Sequence, residues 1–132
     1  MEEILKEIGI SEKTIKQMEE MNPNIRALSK EDILHKIEIL KNIGCDEIQV
    51  RNIISSNALY LDKTDKDIEK LIKTMEKFGF DTLNILFDGN PYILNLEAYE
   101  IEEYIKNRED KGELLEDIVD DMSSNPFLFE EI

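Results

Sequence analysis

The sequence has little of the chemistry on which catalytic and metal sites usually depend. Its 132 residues include one cysteine, Cys45, one histidine, His35, and no tryptophan. A single cysteine cannot form an internal disulfide, which favours a reducing compartment. One cysteine and one histidine cannot assemble the usual zinc ligand sets. We expect Cys45 to be a small core residue, His35 to be solvated or to cap a helix, and the protein to hold no metal and no cofactor.

Long apolar runs, a leader segment and catalytic motifs are also missing. No apolar run approaches the length of a membrane span. The start, MEEILKEIG, lacks the basic segment of a signal or transit peptide, so we expect a cytoplasmic protein. There is no glycine-rich phosphate loop and no nucleophile motif. DKTDKDIE at 62–69 lacks the glycine and the spaced terminal glutamate of a calcium loop. We therefore predict that the protein is not an enzyme.

Positive charge is scarce in the C-terminal part of the chain. The formal net charge is −15; residues 1–77 hold 16 acidic and 13 basic side chains, whereas residues 78–132 hold 15 and 3. Affinity for nucleic acid comes largely from lysine and arginine, so the C-terminal part should repel a phosphate backbone. The acidic excess either keeps the domain soluble or attracts a basic partner, and composition leaves both open.

What the sequence does have is an internal repeat. Glycines recur at positions 9, 44, 79 and 112, and asparagines recur at positions 22, 57, 90 and 125. Proline follows all of these asparagines except Asn57. The interval from asparagine to the next glycine is the same each time: 22 to 44, 57 to 79 and 90 to 112. These regular intervals predict a single domain, 1–132, of repeats at about 9–43, 44–78, 79–111 and 112–132.

Apolar residues keep fixed positions in each repeat, which predicts two helices per repeat. Positions at offsets of 11, 15 and 18 from the asparagine line one face of the second helix. They are Ile33, Ile37, Leu40, Ile68, Ile72, Met75, Ile101 and Ile105, with Arg108 breaking the pattern. At an offset of six from each glycine, the first helix is expected to bury Ile15, Val50, Ile85 and Ile118.

Turn and cap residues predict where these helices begin and end. Asparagine and proline should end the first helix in a turn, and the glycine should adopt a positive φ after the second. We expect Ser11, Asp46 and Asp81 to cap the first helix, and Ser29 and Thr64 to cap the second.

This unit resembles the repeat of the mitochondrial transcription termination factor (mTERF) family. The matching residues are the glycines of IGIS, IGCD and FGFD, the prolines of NPNI, NPYIL and NPFLF, and the Ile/Leu ladder of the second helix. The resemblance implies an all-α, right-handed helical-repeat (solenoid) array of about three and a half helix-turn-helix repeats, with a short 3-10 turn after each Asn-Pro. It also implies DNA or RNA binding along a basic concave face. The Ile-rich, Ala-poor composition suggests a bacterial member.

Two binding functions stay open. The first is a non-enzymatic module that docks a protein or basic peptide through its curved, C-terminally acidic face, with aromatic anchors. The candidate anchors are Tyr92, Tyr99, Tyr104, Phe127 and Phe129. The alternative is mTERF-like nucleic-acid binding through the less acidic N-terminal repeats. Its candidate residues are Lys16, Arg51, Lys70, Lys73 and Lys77. Lys16 and Arg51 stand at an offset of seven from a glycine, where the later repeats have Leu86 and Val119.

Overall fold

A computed structural model describes residues 1–132 as an all-α helical-repeat protein without strands. The α-helices are α1 Glu2–Glu7, α2 Glu12–Met21, α3 Lys30–Asn42, α4 Glu47–Ser56, α5 Asp65–Phe78, α6 Leu83–Gly89, α7 Ala98–Asp110 and α8 Leu115–Ser124. Four 3-10 helices follow the asparagines: η1 Ile25–Ala27, η2 Ala58–Asp62, η3 Pro91–Asn95 and η4 Pro126–Glu131. The predicted order of short helix, 3-10 turn and second helix is confirmed. None of the helices combines the length and the apolar character that crossing a bilayer would require.

The chain divides into two compact units, an N-terminal unit, Met1–Asp65, and a C-terminal unit, Lys66–Ile132. In the N-terminal unit, elements at the same position of successive repeats contact each other: α1 with α3, α2 with α4, and η1 with η2. In the C-terminal unit, α7 contacts α8, and η3 and η4 contact the helices that precede them. Contact between equivalent elements buries the apolar face that a single repeat would leave exposed. The single domain 1–132 stays a prediction.

The glycine of each repeat adopts the positive φ that the sequence predicts. The φ angles of Gly9, Gly44, Gly79 and Gly112 lie between 93° and 103°. At the first of these, the Gly9 N–H donates to the Lys6 carbonyl and the Ile10 N–H donates to the Leu5 carbonyl, each at 3.0 Å. This pair of bonds satisfies the last carbonyls of α1 and reverses the chain into α2.

Three of the five predicted helix caps are confirmed by their hydrogen bonds. Ser11 accepts from the Thr14 N–H at 3.2 Å, Asp46 accepts from the Gln49 N–H at 2.8 Å, and Ser29 forms a capping box. Thr64 directly precedes α5. The prediction for Asp81 is wrong.

The failure at Asp81 follows from the length of its helix. The third repeat reaches its asparagine two positions sooner after the glycine than the other repeats do, and its first helix is only Leu83–Gly89. Thr82 therefore occupies the cap position, without a side-chain capping bond. The two missing residues remove the turn that Asp81 would have capped.

The core includes the predicted faces of the second helices together with the residue three positions after each of the first three asparagines. Ile33, Ile68, Ile101 and Ile105 are fully buried, as are Ile25 and Tyr60. Cys45 is buried, as expected. The 3-10 helices that contain Ile25 and Tyr60 therefore contribute to the core together with the second helices.

The prediction that Ile85 is a core residue is wrong, because 61% of its surface is exposed. Counting backwards from the asparagine corrects the alignment: Ile15, Val50 and Leu83 each stand seven positions before it and are buried. In the shortened third repeat the asparagine, and not the glycine, fixes which face of the helix is buried.

Candidate binding surfaces

The asparagine after the first helix does more than end that helix. The Asn24 N–H donates to Asn22 Oδ1 at 3.1 Å, which closes the turn as predicted. Asn22 is 1% exposed, and its Nδ2 donates at 3.1 Å to the carbonyl of Ala58 in the next repeat. Asn90 donates in the same way to the Pro126 carbonyl at 3.1 Å. A repeat-to-repeat hydrogen bond therefore fixes where each of these following 3-10 helices lies, which sequence spacing could not reveal.

Three of the five aromatic candidates lie at the surface of the C-terminal unit. Tyr92, Tyr99 and Phe127 are 53%, 61% and 62% exposed. Tyr92 and Phe127 each stand two positions after an asparagine, in the first turn of η3 and η4. Phe129 is instead 2% exposed and packs against Phe80, with ring centroids 6.1 Å apart. Phe129 is thus a core residue and does not form part of the exposed aromatic surface.

Tyr104 belongs to a polar cluster at the end of α7. Its hydroxyl donates to Glu131 Oε2 at 3.3 Å, and Arg108 lies 5.8 Å from its ring centroid. Arg108 also donates to Glu113 Oε2 at 2.8 Å and to Asp121 Oδ2 at 3.0 Å. Hydrogen bonds from Arg108 lower the pKa of the Glu113 carboxyl, and burial raises the pKa of Tyr104. Where earlier repeats have an apolar residue, Arg108 links α7 to α8 through ion pairs.

The lysines predicted on α5 share one exposed face of that helix. Lys70, Lys73 and Lys77 line a shallow groove of about 370 Å³ together with Glu69 and with Lys66, which the sequence analysis missed. Lys66 could have been found from the helical spacing, because positions 66, 70, 73 and 77 are alternately four and three apart. With a rise of 1.5 Å per residue, the four lysines extend over roughly 16 Å. The opposite face of α5 is buried, so this lysine face is fixed in orientation.

The two predicted basic residues of the N-terminal unit have different surroundings. Lys16 is exposed on α2. Arg51, on α4, is half-buried, and its Nη1 lies only 2.6 Å from the point where a Cβ on Gly9 would stand. Arg51 therefore fills the space above Gly9 and has a packing role. Counted back from the asparagine, the residue of the third repeat that corresponds to Lys16 and Arg51 is Asn84. Leu86, which corresponds to them when counted from the glycine, is buried.

A buried lysine that sequence reasoning missed joins α3 to η2 and to the start of α5. The Lys36 side chain is 6% exposed, and its Nζ is 2.5 Å from Asp65 Oδ1. The Tyr60 hydroxyl donates to the Lys36 carbonyl at 2.7 Å, and burial raises the pKa of Tyr60. His35 is exposed, with Nδ1 at 3.4 Å from Asp65 Oδ2. With the charges paired, this cluster is a structural link; no group of three or more His, Cys, Asp or Glu residues is placed to hold a metal.

These surfaces belong to an all-α helical-repeat protein, the class in which stacked helical pairs present long faces to a partner. The mTERF family model matches residues 2–105 of the chain. The protein belongs to the mTERF family. No curated protein and no solved structure matches it.

Proposed function

We propose that this protein acts by binding, without catalysis, and that it binds the phosphate backbone of a nucleic acid along the lysine face of α5. The observation that carries the proposal is the alignment of Lys66, Lys70, Lys73 and Lys77 on one exposed helix face. Membership in a family that generally binds nucleic acid supports it.

For a ligand that lies along α5, the positive charge of the four nearby lysines matters more than the net negative charge of the whole protein. None of the four lysines forms an ion pair, so their charges are available to phosphates. Glu69 is the one acidic side chain that lines the groove. At physiological ionic strength charges beyond about 8 Å are largely screened, which limits repulsion from distant carboxylates. Contact with phosphates alone carries no base information, so we expect weak sequence preference.

The test is the salt dependence of binding. Each lost phosphate contact should reduce the slope of log K against log salt by about 0.9 for duplex DNA or about 0.7 for single strands. We expect Lys70→Gln with Lys73→Gln to reduce the slope by about 1.8 for duplex DNA. Fluorescence anisotropy with labelled duplex, single-stranded DNA and structured RNA would measure it.

The matched control is Lys13→Gln with Lys41→Gln, which removes two exposed lysines from the N-terminal unit. This control should leave the slope unchanged. An equal loss in both double variants, or no complex with any of the three nucleic acids at low salt, would contradict the proposal. Lys16→Glu then tests α2 separately, whereas substitutions of Arg51 would also disturb the packing above Gly9.

The exposed aromatics support a second function, docking of a basic protein segment on the C-terminal unit. Tyr92 and Phe127 expose large rings at the same repeat position, in a unit that holds 18 acidic and 7 basic residues. Aromatic anchors surrounded by negative charge suit a basic, amphipathic ligand.

Titration with a basic amphipathic peptide tests this second function. We expect Tyr92→Ser with Phe127→Ser to weaken binding at least about tenfold, the loss of about 1.4 kcal/mol expected for anchor residues. Ile85→Ser is the control, because Ile85 is equally exposed in the same unit but stands outside the 3-10 turns. Equal binding by all three proteins would rule the aromatic surface out.

A further inference from the structure

An open cleft lies over Gly79, between the end of α5 and α8. It has a volume of about 440 Å³ and is lined by Phe78, Gly79, Leu115, Glu116, Val119 and Asp120. A Cβ placed on Gly79 would meet no atom within 4 Å, so the space above this glycine is empty of side chains. The volume is within the range of small-ligand sites.

The N-terminal unit contains the same site in a filled form. Arg51 stands seven positions after Gly44, and Val119 stands seven positions after Gly112. In the N-terminal unit the guanidinium of Arg51 lies directly above Gly9, the counterpart of Gly79. The fold therefore demonstrates within one chain that a guanidinium fits above the glycine of a preceding repeat.

The residues around the open cleft are more acidic than the residues at the same repeat positions of the N-terminal unit, and this favours a cation. Four and eight positions after the repeat glycine, the N-terminal unit has Ile48 and Asn52, whereas the C-terminal unit has Glu116 and Asp120. These two carboxylates are one helical turn apart on α8 and are exposed. Neither has an ion-pair partner, because Arg108 bonds Glu113 and Asp121 instead.

We propose that the cleft over Gly79 receives an arginine side chain from a partner protein. A planar guanidinium can stack on the glycine backbone and the Phe78 ring while its N–H groups donate to Glu116 and Asp120. The carbonyl end of α5 adds a partial negative charge. The apolar Leu115 and Val119 would cover the arginine stem. This site is separate from the lysine face of α5 and does not rest on nucleic-acid binding.

NMR titration of the full chain with capped Gly/Ser peptides carrying one arginine or one lysine tests the proposal. We expect saturable shifts of the Gly79 and Val119 amide signals with the arginine peptide. The lysine peptide should bind at least about fivefold more weakly, a difference of about 1 kcal/mol. Equal affinity for both peptides, or shifts that avoid the Gly79 region, would overturn it.

The decisive variant fills the cleft with a side chain of the protein itself. Val119→Arg recreates the arrangement of Arg51 and should abolish the peptide-induced shifts of Gly79. Should that variant fail to fold, Glu116→Gln with Asp120→Asn leaves the shape intact and should weaken binding at least about fivefold. The control, Glu102→Gln with Glu109→Gln, removes two exposed charges on α7 and should bind as the native protein does. Equal weakening in both double variants would mean general charge attraction and would refute a specific site.

Discussion

The buried side-chain amide of Asn22 is a single-residue link between two repeats. It donates to the Ala58 carbonyl and accepts from the Asn24 N–H, so both its polar atoms are paired out of water. Truncating it would leave a buried carbonyl without its donor, which costs about 1–3 kcal/mol. Asn125, at the same position of the last repeat, is exposed.

The two asparagines form a matched pair for mutation. We expect Asn22→Ala to lower the free energy of unfolding by about 2 kcal/mol and Asn125→Ala to change it by less than about 0.5 kcal/mol. Urea denaturation followed by circular dichroism measures both. Similar losses at the two positions would contradict the prediction, because the Asn125 side chain makes neither of the hydrogen bonds that Asn22 makes.

The Arg108–Glu113 pair predicts an acid-dependent part of stability. Because the pKa of Glu113 is lowered below 4.5 in the folded state, its contribution is present above that pH and is lost as pH falls through the folded pKa. We expect Glu113→Gln to be less stable at neutral pH and to lose less stability than the native protein between pH 5 and about pH 3. Denaturation curves over this range, with Glu102→Gln as control, check the prediction; parallel curves for native protein and Glu113→Gln would contradict it.

At the scale of the element, α6 shows what the sequence can and cannot predict. The second helices bury positions at fixed offsets from the asparagine, and their buried faces are predicted correctly. The buried face of the first helix in the third repeat, aligned from its glycine, is predicted wrongly. Because the segment from glycine to asparagine is two residues shorter in this repeat, the alignments from the glycine and from the asparagine differ by two helix positions, a rotation of about 200° at about 100° per residue.

The corrected face of α6 gives a prediction for neighbouring leucine and isoleucine residues. Leu83→Ala should lower the free energy of unfolding by about 2–4 kcal/mol, because Leu83 is 5% exposed. Ile85→Ala, two positions away, should cost less than about 0.5 kcal/mol. Thermal or urea denaturation distinguishes the two variants. A larger loss of stability for Ile85→Ala than for Leu83→Ala would contradict the corrected alignment and favour the alignment counted from the glycine.

At the scale of the molecule, the repeat could be predicted from the sequence and the candidate surfaces only in part. Helical spacing identified three of the four α5 lysines, because residues three and four apart share a face whatever the tertiary structure. Burial of Phe129 and the position of Arg51 over Gly9 depend on contacts between repeats, to which spacing along one helix is blind. The charge count, divided at residues 77 and 78, placed the lysines of α5 and the exposed aromatics in different parts of the chain, whereas both belong to the C-terminal unit.

The asparagine links have a direction. Asn22 and Asn90 each donate a hydrogen bond to a carbonyl of the repeat that follows. A substitution that moves that carbonyl therefore removes a hydrogen bond from the asparagine of the earlier repeat. Substitutions near Ala58 or Pro126 that move the backbone would leave the side-chain amide of Asn22 or Asn90 without its acceptor, although the sequence of the earlier repeat is unchanged. A variant map of this protein should accordingly show paired sensitivity, at Asn22 with Ala58 and at Asn90 with Pro126.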